Sequence, residues 1–250
     1  MKHSTHQSSG PAAARAREIF ASAQHVVVFS GAGMSAESGL NTYRDADSGL
    51  WEGVDPLDMA SIDAWERDPE PMWRWYHKRR RQAAQAEPNA GHLAIGAWVN
   101  KAQVVTQNID NLHERGGATS VVHLHGSLFE FRCAECARAF SGDVETEVPP
   151  LCPACGGLIR PGVVWFGEAL PQREWEMAEE EISLCDLLLI VGTSGVVYPA
   201  AQLPFLAEEA GVPIVEISPQ ETELSPLASV LWKSTAARAL PQLATERDTH

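Results

Sequence analysis

Four of the five cysteines in this 250-residue chain form two C-x2-C knuckles, Cys133 with Cys136 and Cys152 with Cys155, fifteen residues apart. Four thiolates at that spacing suit tetrahedral zinc. They close the coordination shell and leave no place for water or substrate, so one structural zinc ion is expected. Pro153 and Gly156-Gly157 suit the tight knuckle turns. Cys185 stands among apolar residues and reads as a buried thiol, not a nucleophile.

Gly31-Ala32-Gly33 directly follows the apolar run H-V-V-V-F-S. Glycines there let the backbone turn tightly and approach a pyrophosphate, while a following helix N-terminus favours its negative charge. Taken alone the pattern also fits a generic strand–turn–helix, because Ala36 stands where a third glycine would fall. In V-V-T-Q-N-I-D-N-L-H, residues 104–113, a strand ends in Gln107, Asn108 and Asp110. Their amide and carboxylate groups suit a carboxamide and a ribose, although an Asn- and Asp-rich turn without function looks similar. His125-Gly126 ends another strand, V-V-H-L-H-G, where an imidazole facing a crevice titrates near neutrality as a general base. His113 and His123 are equally open to a structural reading.

The elements that must position these groups alternate. Strands are expected at residues 25–30, 102–106, 121–124, 186–191 and 213–217, and helices at 12–23, 70–86, 91–100, 172–184 and 200–210. That alternation predicts an α/β fold: a Rossmann-like parallel sheet with helices on both faces. Residues 42–90 and 127–160 interrupt it. The expected organisation is a flexible tail (1–14), a Rossmann-like nucleotide-binding domain (15–41, 91–126 and 161–250), and a small domain. The small domain combines a helical insertion (42–90) with a zinc ribbon (127–160), and the crevice between the domains is the natural ligand site.

Composition narrows the function classes. Hydrophobic (44%) and charged (21%) fractions are those of an ordered globular protein. No run approaches the roughly 18–20 apolar residues of a membrane helix, and the polar first fourteen residues lack the apolar stretch of a secretory signal. A cytoplasmic protein without membrane association is expected. A net charge of −14, from 33 acidic against 19 basic residues, disfavours binding to nucleic acid. A zinc-ribbon nucleic-acid protein would need a basic face. The local exception is Lys78-Arg79-Arg80-Arg81, which on composition alone reads as a solvated helix face.

Six motifs together resemble the sirtuin family, in sirtuin order: G-A-G-M-S-A-E-S-G-L-N-T-Y-R-D, T-Q-N-I-D-N-L-H, H-L-H-G, the paired knuckles, P-G-V-V-W-F-G-E and V-G-T-S-G-V-V-Y-P-A. The resemblance runs from about Arg17 to Leu243. It implies an NAD-dependent protein-lysine deacylase, with NAD as co-substrate and acyl-lysine proteins or peptides as partners, and a monomer is expected. Gly31, Ala32, Gly33, Ser35 and Arg44 would line the NAD phosphates and ribose. Gln107 and Asn108 would hold the nicotinamide ribose, Ile109 and Asp110 the carboxamide, and Gly192, Thr193 and Ser194 the adenosine half. His125 would be the catalytic base, working beside Asn108. In sirtuins the acyl oxygen attacks C1′ of the nicotinamide ribose and nicotinamide leaves. The histidine then draws a proton from the ribose hydroxyls, and water finally releases lysine and O-acyl-ADP-ribose.

The resemblance further implies that substrate backbone lies as an added strand between residues 163–168 and 195–198, touching Val163, Gly195 and Val196. The acyl-lysine would pass through an apolar tunnel near Val164 and Trp165. Some positions depart from the family pattern: Asn41 and Tyr43 replace a proline and a phenylalanine, Ser218 replaces an asparagine at the adenosine ribose, and Ser234 a glycine, whereas Ala236 matches at the adenine. Tyr76 and Arg79 resemble the Y-x-x-R motif of class III sirtuins and lie one helical turn apart. A phenol and a guanidinium so placed can bind a carboxylate together. Ala60 resembles the small residue that widens the acyl pocket in that class. Succinyl-, malonyl- or glutaryl-lysine is therefore the expected substrate, with acetyl-lysine also accepted. Competing readings are an ordinary deacetylase in which Tyr76 and Arg79 confer no preference, and a weak ADP-ribosyl-transferring or NAD-sensing relative.

Overall fold

The computed structural model describes residues 10–40 and 56–244. Arg44, Asn41 and Tyr43 lie outside the described residues. Among those described, the strands are β1 (Val26–Ser30), β2 (Ala102–Thr106), β3 (Val121–His123), β4 (Gly126–Cys133), β5 (Ile159–Val163), β6 (Leu187–Val191), β7 (Ile214–Ser218) and β8 (Val230–Lys233). The α-helices are α1 (Pro11–Ser22), α2 (Pro56–Met59), α3 (Ile62–Arg67), α4 (Pro69–Gln85), α5 (Ala90–Ala97), α6 (Leu112–Arg115), α7 (Gln172–Leu184), α8 (Leu203–Glu209) and α9 (Ala236–Ala239).

Six strands form one parallel sheet in the order β3-β2-β1-β6-β7-β8. Its middle strands, V-V-V-F-S, L-L-L-I-V and I-V-E-I-S, are buried at every residue, as parallel strands covered on both faces must be. Alternation along β1 sorts the two cores. Val26 and Val28 pack with Ala13 and Phe20 of α1, Ile95 of α5 and Ala239 of α9. Val27 and Phe29 face the other way, onto Ala178 and Ile182 of α7 and Leu203 and Ala207 of α8. The chain builds outward from β1 through β2 to β3, then crosses to β6 on the other side of β1. Such a switch opens a crevice at the carboxyl ends of the central strands.

β4 and β5 pair antiparallel, with Cys133 opposite Ile159. α4 lies against them. Its Trp73 packs with Phe131, Cys133, Cys152 and Ile159, and the indole N–H donates to the Thr146 carbonyl at 2.9 Å. Arg80 and Arg81 both reach Glu145 of the ribbon. Asp68 caps α4, accepting from Glu70 N–H, and Pro69 begins it without losing a bonded donor.

Several boundaries differ from the sequence expectation. α1 starts at Pro11, so residues 11–14 of the expected tail are helical, because proline's fixed φ suits a first helical position. α5 stops at Ala97, short of Asn100, which turns to φ 59°. Residues 200–202 form a 3₁₀ turn before α8. β8, the edge strand V-L-W-K, was not expected at all.

Candidate functional site

The loops leaving β1 and β6 interlock. Gly31 N–H donates to the Val191 carbonyl at 3.0 Å and Gly33 N–H to that of Gly192 at 2.8 Å. A Cβ on Gly33 would sit 2.8 Å from Gly192 Cα, and one on Gly192, at φ +62°, only 2.4 Å from Met34 N. No side chain fits either place, so backbone meets backbone at the crevice floor. One expectation needs correcting. Two 3₁₀ turns, Ala32–Met34 and Ala36–Ser38, follow the glycine loop instead of an α-helix. Single turns carry little macrodipole, so an anion there depends on the local N–H groups.

β2 runs into the second loop. Gln107 N–H donates to the Ser30 carbonyl at 2.9 Å, and its side-chain amide to Thr193 Oγ1 at 2.9 Å. Asn108 Nδ2 donates to Ser35 Oγ at 3.1 Å, and Ser35 in turn donates to Asp110 Oδ2 at 3.0 Å. The other Asp110 oxygen accepts Leu112 N–H at 3.0 Å. Ser35, Asn108 and Asp110, distant in sequence, thus share one buried network. Burial raises the pKa of Asp110, opposed by Leu112 N–H, the Ser35 hydroxyl and the charges of His123 and Arg79. Ile109 is tied to β4, its carbonyl accepting Leu128 N–H at 2.8 Å.

His125 closes β3's extension. Its Nδ1 lies 3.0 Å from the Gln107 carbonyl, which can only accept. Nδ1 therefore carries the proton, and the lone pair of the neutral ring is on Nε2. Burial lowers its pKa despite the bond to Gln107, so the ring is a neutral base at pH 7. Gly126 follows because nothing else fits: at φ +70°, a Cβ would lie 2.0 Å from the Gly162 carbonyl oxygen.

The segment after β5 is braced from beneath by residues that the sequence reading did not single out. Arg160, only 2% exposed, grips Glu168 with both Nη atoms, at 2.6 and 2.7 Å. Its guanidinium stacks 3.4 Å over the Trp165 ring, and Glu168 accepts Trp165 N–H at 2.8 Å. Glu168 did stand in the quoted P-G-V-V-W-F-G-E motif, but a lone arginine eight residues earlier carries no spacing signal. Ala60 faces this segment: its carbonyl accepts Phe166 N–H at 2.7 Å. Ala60, Tyr76, Val163 and Trp165 share one buried cluster, with Ile109 against it. Tyr76 lies 5.8 Å from the Trp165 ring. Arg79 sits on the same side of α4, over the Trp75 ring at 5.6 Å, and its charge acts on Asp110. Val164 N–H meets the His125 carbonyl at 2.9 Å, linking that cluster to the base.

Gly195 turns at φ +75°, and Val196 and Tyr198 after it are well exposed. Thr193 and Ser218 are buried at the ends of β6 and β7, and Ser194 accepts Glu223 N–H at 3.3 Å. Ala236 opens α9 behind the glycine loop, and Glu37 accepts Ala237 N–H at 3.0 Å, tying the two together. Cys185 is buried as expected, its thiol pushed up to about 11 by burial and by Asp186.

The four knuckle sulfurs lie within 4.8 Å of one another, with Cys133 to Cys155 at 3.5 Å and Cys136 to Cys152 at 3.8 Å. Sulfurs about 2.3 Å from one tetrahedral ion stand roughly 3.8 Å apart, so the tetrad fits zinc.

Comparison with known proteins agrees with this geometry. The model of the Sir2 family matches residues 31–199. The chain is 59% identical over 238 residues to an NAD-dependent protein deacylase of Corynebacterium glutamicum, covering 90% of this chain and 92% of that protein. A solved Sir2 homolog–NAD complex superposes with TM-score 0.86 at 39% identity, covering 92% of this chain and 91% of that one. A substituted Sir2 homologue bound to 2'-O-acetyl ADP ribose gives TM-score 0.85 at 40% identity, covering 92% and 94%. With the motifs, the sheet order and the cysteine tetrad all in agreement, the chain belongs to the Sir2 family, the sirtuins.

Proposed function

We propose that this protein is an NAD-dependent protein-lysine deacylase that prefers acidic acyl groups, succinyl and malonyl above acetyl. NAD supplies the electrophilic C1′ of its nicotinamide ribose and carries the acyl group away as O-acyl-ADP-ribose. The glycine loop, Ser35, Thr193 and Ser194 hold its phosphates and adenosine half, with Ser218 and Ala236 beyond them. Gln107 and Asn108 hold the nicotinamide ribose, and Ile109 with Asp110 the carboxamide. His125 Nε2 takes the proton from the ribose hydroxyl. Substrate backbone adds as a strand between the Val163 and Gly195 edges, where main-chain bonds read little sequence. Residues 42–90, of which 42–55 lie outside the described residues, and 127–160 act as a small domain, a division supported by the shared packing of α4 with the ribbon.

The acyl preference rests on one observation. Tyr76 and Arg79 lie a helical turn apart on α4, with Tyr76 packed in the buried cluster of Ala60 and Trp165 and the charge of Arg79 acting on Asp110. A carboxylate at the end of a four- or three-carbon acyl group would meet a guanidinium and a phenol there. The test is kcat/KM for acetyl-, succinyl- and malonyl-lysine versions of one peptide with NAD. Acidic acyl groups should win by about tenfold or more, the worth of one charge-assisted bond. Equal values would leave an ordinary deacetylase.

A further inference from the structure

The H-L-H sequence of β3 and its extension holds two histidines two residues apart, which a strand sends to the same face. Both rings reach the same loop. The main-chain ladder between β2 and β3 ends where Leu124 N–H donates to the Thr106 carbonyl at 2.9 Å. Beyond that rung, His125 Nδ1 takes the Gln107 carbonyl at 3.0 Å and His123 Nδ1 the Asn108 carbonyl at 2.9 Å. Carbonyls only accept, so both Nδ1 atoms carry protons. The rings differ at Nε2. That of His123 lies 2.7 Å from Glu114 Oε1, a second acceptor, so His123 carries two protons and a positive charge.

The charge balance agrees with the geometry. Burial by itself would expel a charge from His123. The bond and charge of Glu114, the Asn108 carbonyl and the charge of Asp110 outweigh it and raise the pKa. Burial likewise pushes Glu114 up, and His123 more than reverses it. His113, the neighbouring imidazole, is held well below the usual histidine range, first by burial and then by the charge of His123.

We propose that His123, held as an imidazolium by Glu114, is a positioning residue for deacylation: it fixes the Asn108 carbonyl and with it the amide that Asn108 presents to Ser35 and the crevice. The loop is also anchored by Gln107 N–H on Ser30, Asn108 N–H on Thr106 Oγ1 and Leu128 N–H on the Ile109 carbonyl, while the Gln107 and Asn108 carbonyls go to the two histidines. Without His123 the Asn108 carbonyl loses the side-chain donor that orients it. The proposal rests on the ribose-holding reading of Asn108 given above.

Three variants separate the contributions. His123→Leu keeps bulk without a donor. His123→Asn keeps a side-chain N–H near the Nδ1 position but cannot reach Glu114. Glu114→Gln keeps an acceptor and removes the charge. With zinc content checked, kcat/KM for NAD should fall about tenfold in His123→Leu, the worth of one charge-assisted bond. KM for the acyl peptide should stay within about twofold, since no residue of the peptide edges is touched. His123→Asn should regain much of the loss, and Glu114→Gln should fall between. A His123→Leu enzyme with wild-type kcat/KM for NAD would overturn the proposal. So would NAD and peptide parameters that decline together in both His123 variants in step with Tm, the mark of a merely structural histidine. If His123→Leu does not fold, the other two variants decide by the same criterion. Asn108→Ala runs beside them: its inactivation alongside an unaffected His123→Leu overturns the role of His123 alone, and its full activity overturns the reading of Asn108 and this proposal together.

Discussion

The two ring nitrogens of His125 divide the work between structure and chemistry. Nδ1 is spent on the Gln107 carbonyl, which leaves Nε2 as the only basic atom of the ring. Turnover should therefore vanish in His125→Ala while zinc content and Tm stay close to wild type, and progress curves with NAD and acyl peptide check it. The pH dependence follows from the direction of the shift. Burial holds the His125 pKa below its usual 6.5, and a base works only when unprotonated. Then kcat/KM should be flat through neutral pH and fall only as pH drops through that lowered value. A fall beginning above pH 7 would point to another base. At the acyl end, Arg79→Met should lower succinyl-lysine kcat/KM by roughly 10–150-fold, from about 1.5–3 kcal/mol for a bond to a charged group. Acetyl-lysine, which has no carboxylate to pair, should be affected little. Tyr76→Phe should move succinyl-lysine the same way by less, and equal losses on both peptides would mean that Arg79 serves the fold or NAD.

Elements decide whether those residues are in place. α4 carries Tyr76 and Arg79 but is clamped through Trp73, Arg80 and Arg81 to the zinc ribbon. Stripping zinc should lower Tm, because metal binding and folding of such ribbons are coupled. Calorimetry with and without chelator reads this, and an unchanged Tm would contradict it. Arg160→Met should be destabilising by about 1.5–3 kcal/mol, the worth of a hydrogen bond to a charged group, since Glu168 keeps Arg132 at 3.4 Å and Trp165 N–H. Denaturant unfolding measures it, and loss of the Glu168 brace should also raise KM for the peptide. Much of this scale was legible in the sequence. The knuckles, the buried strands and α7 stand out because spacing and period are local properties. β8 was not, since V-L-W-K is short, follows a 3₁₀ turn and joins the sheet only through β7. The 3₁₀ turns at residues 32–38 were missed for a similar reason: a glycine loop after a strand suggests a helix, and its close packing against Gly192 is a contact distant in sequence.

At the scale of the molecule, one topological event makes the site. Because the chain leaves β1 for β2 on one side and returns to β6 on the other, three loops far apart in sequence converge at one end of the sheet. The sequence disclosed each loop's chemistry, and the family resemblance supplied their order. What it left hidden were partnerships across the crevice, such as Gln107 with Thr193, Ser35 with Asn108, and His123 with Glu114. Each residue there is an ordinary polar type until its partner is known. α4 and the segment after β5 pack together, and that segment reaches His125 through Val164 N–H on its carbonyl. The most direct measurement is mass-spectrometric product analysis of a succinyl-lysine peptide incubated with NAD. The expected result is free lysine peptide, nicotinamide and O-succinyl-ADP-ribose in equal amounts, with none formed when NAD is omitted. Free succinate released without NAD, or NAD cleaved with the peptide still succinylated, would contradict the account.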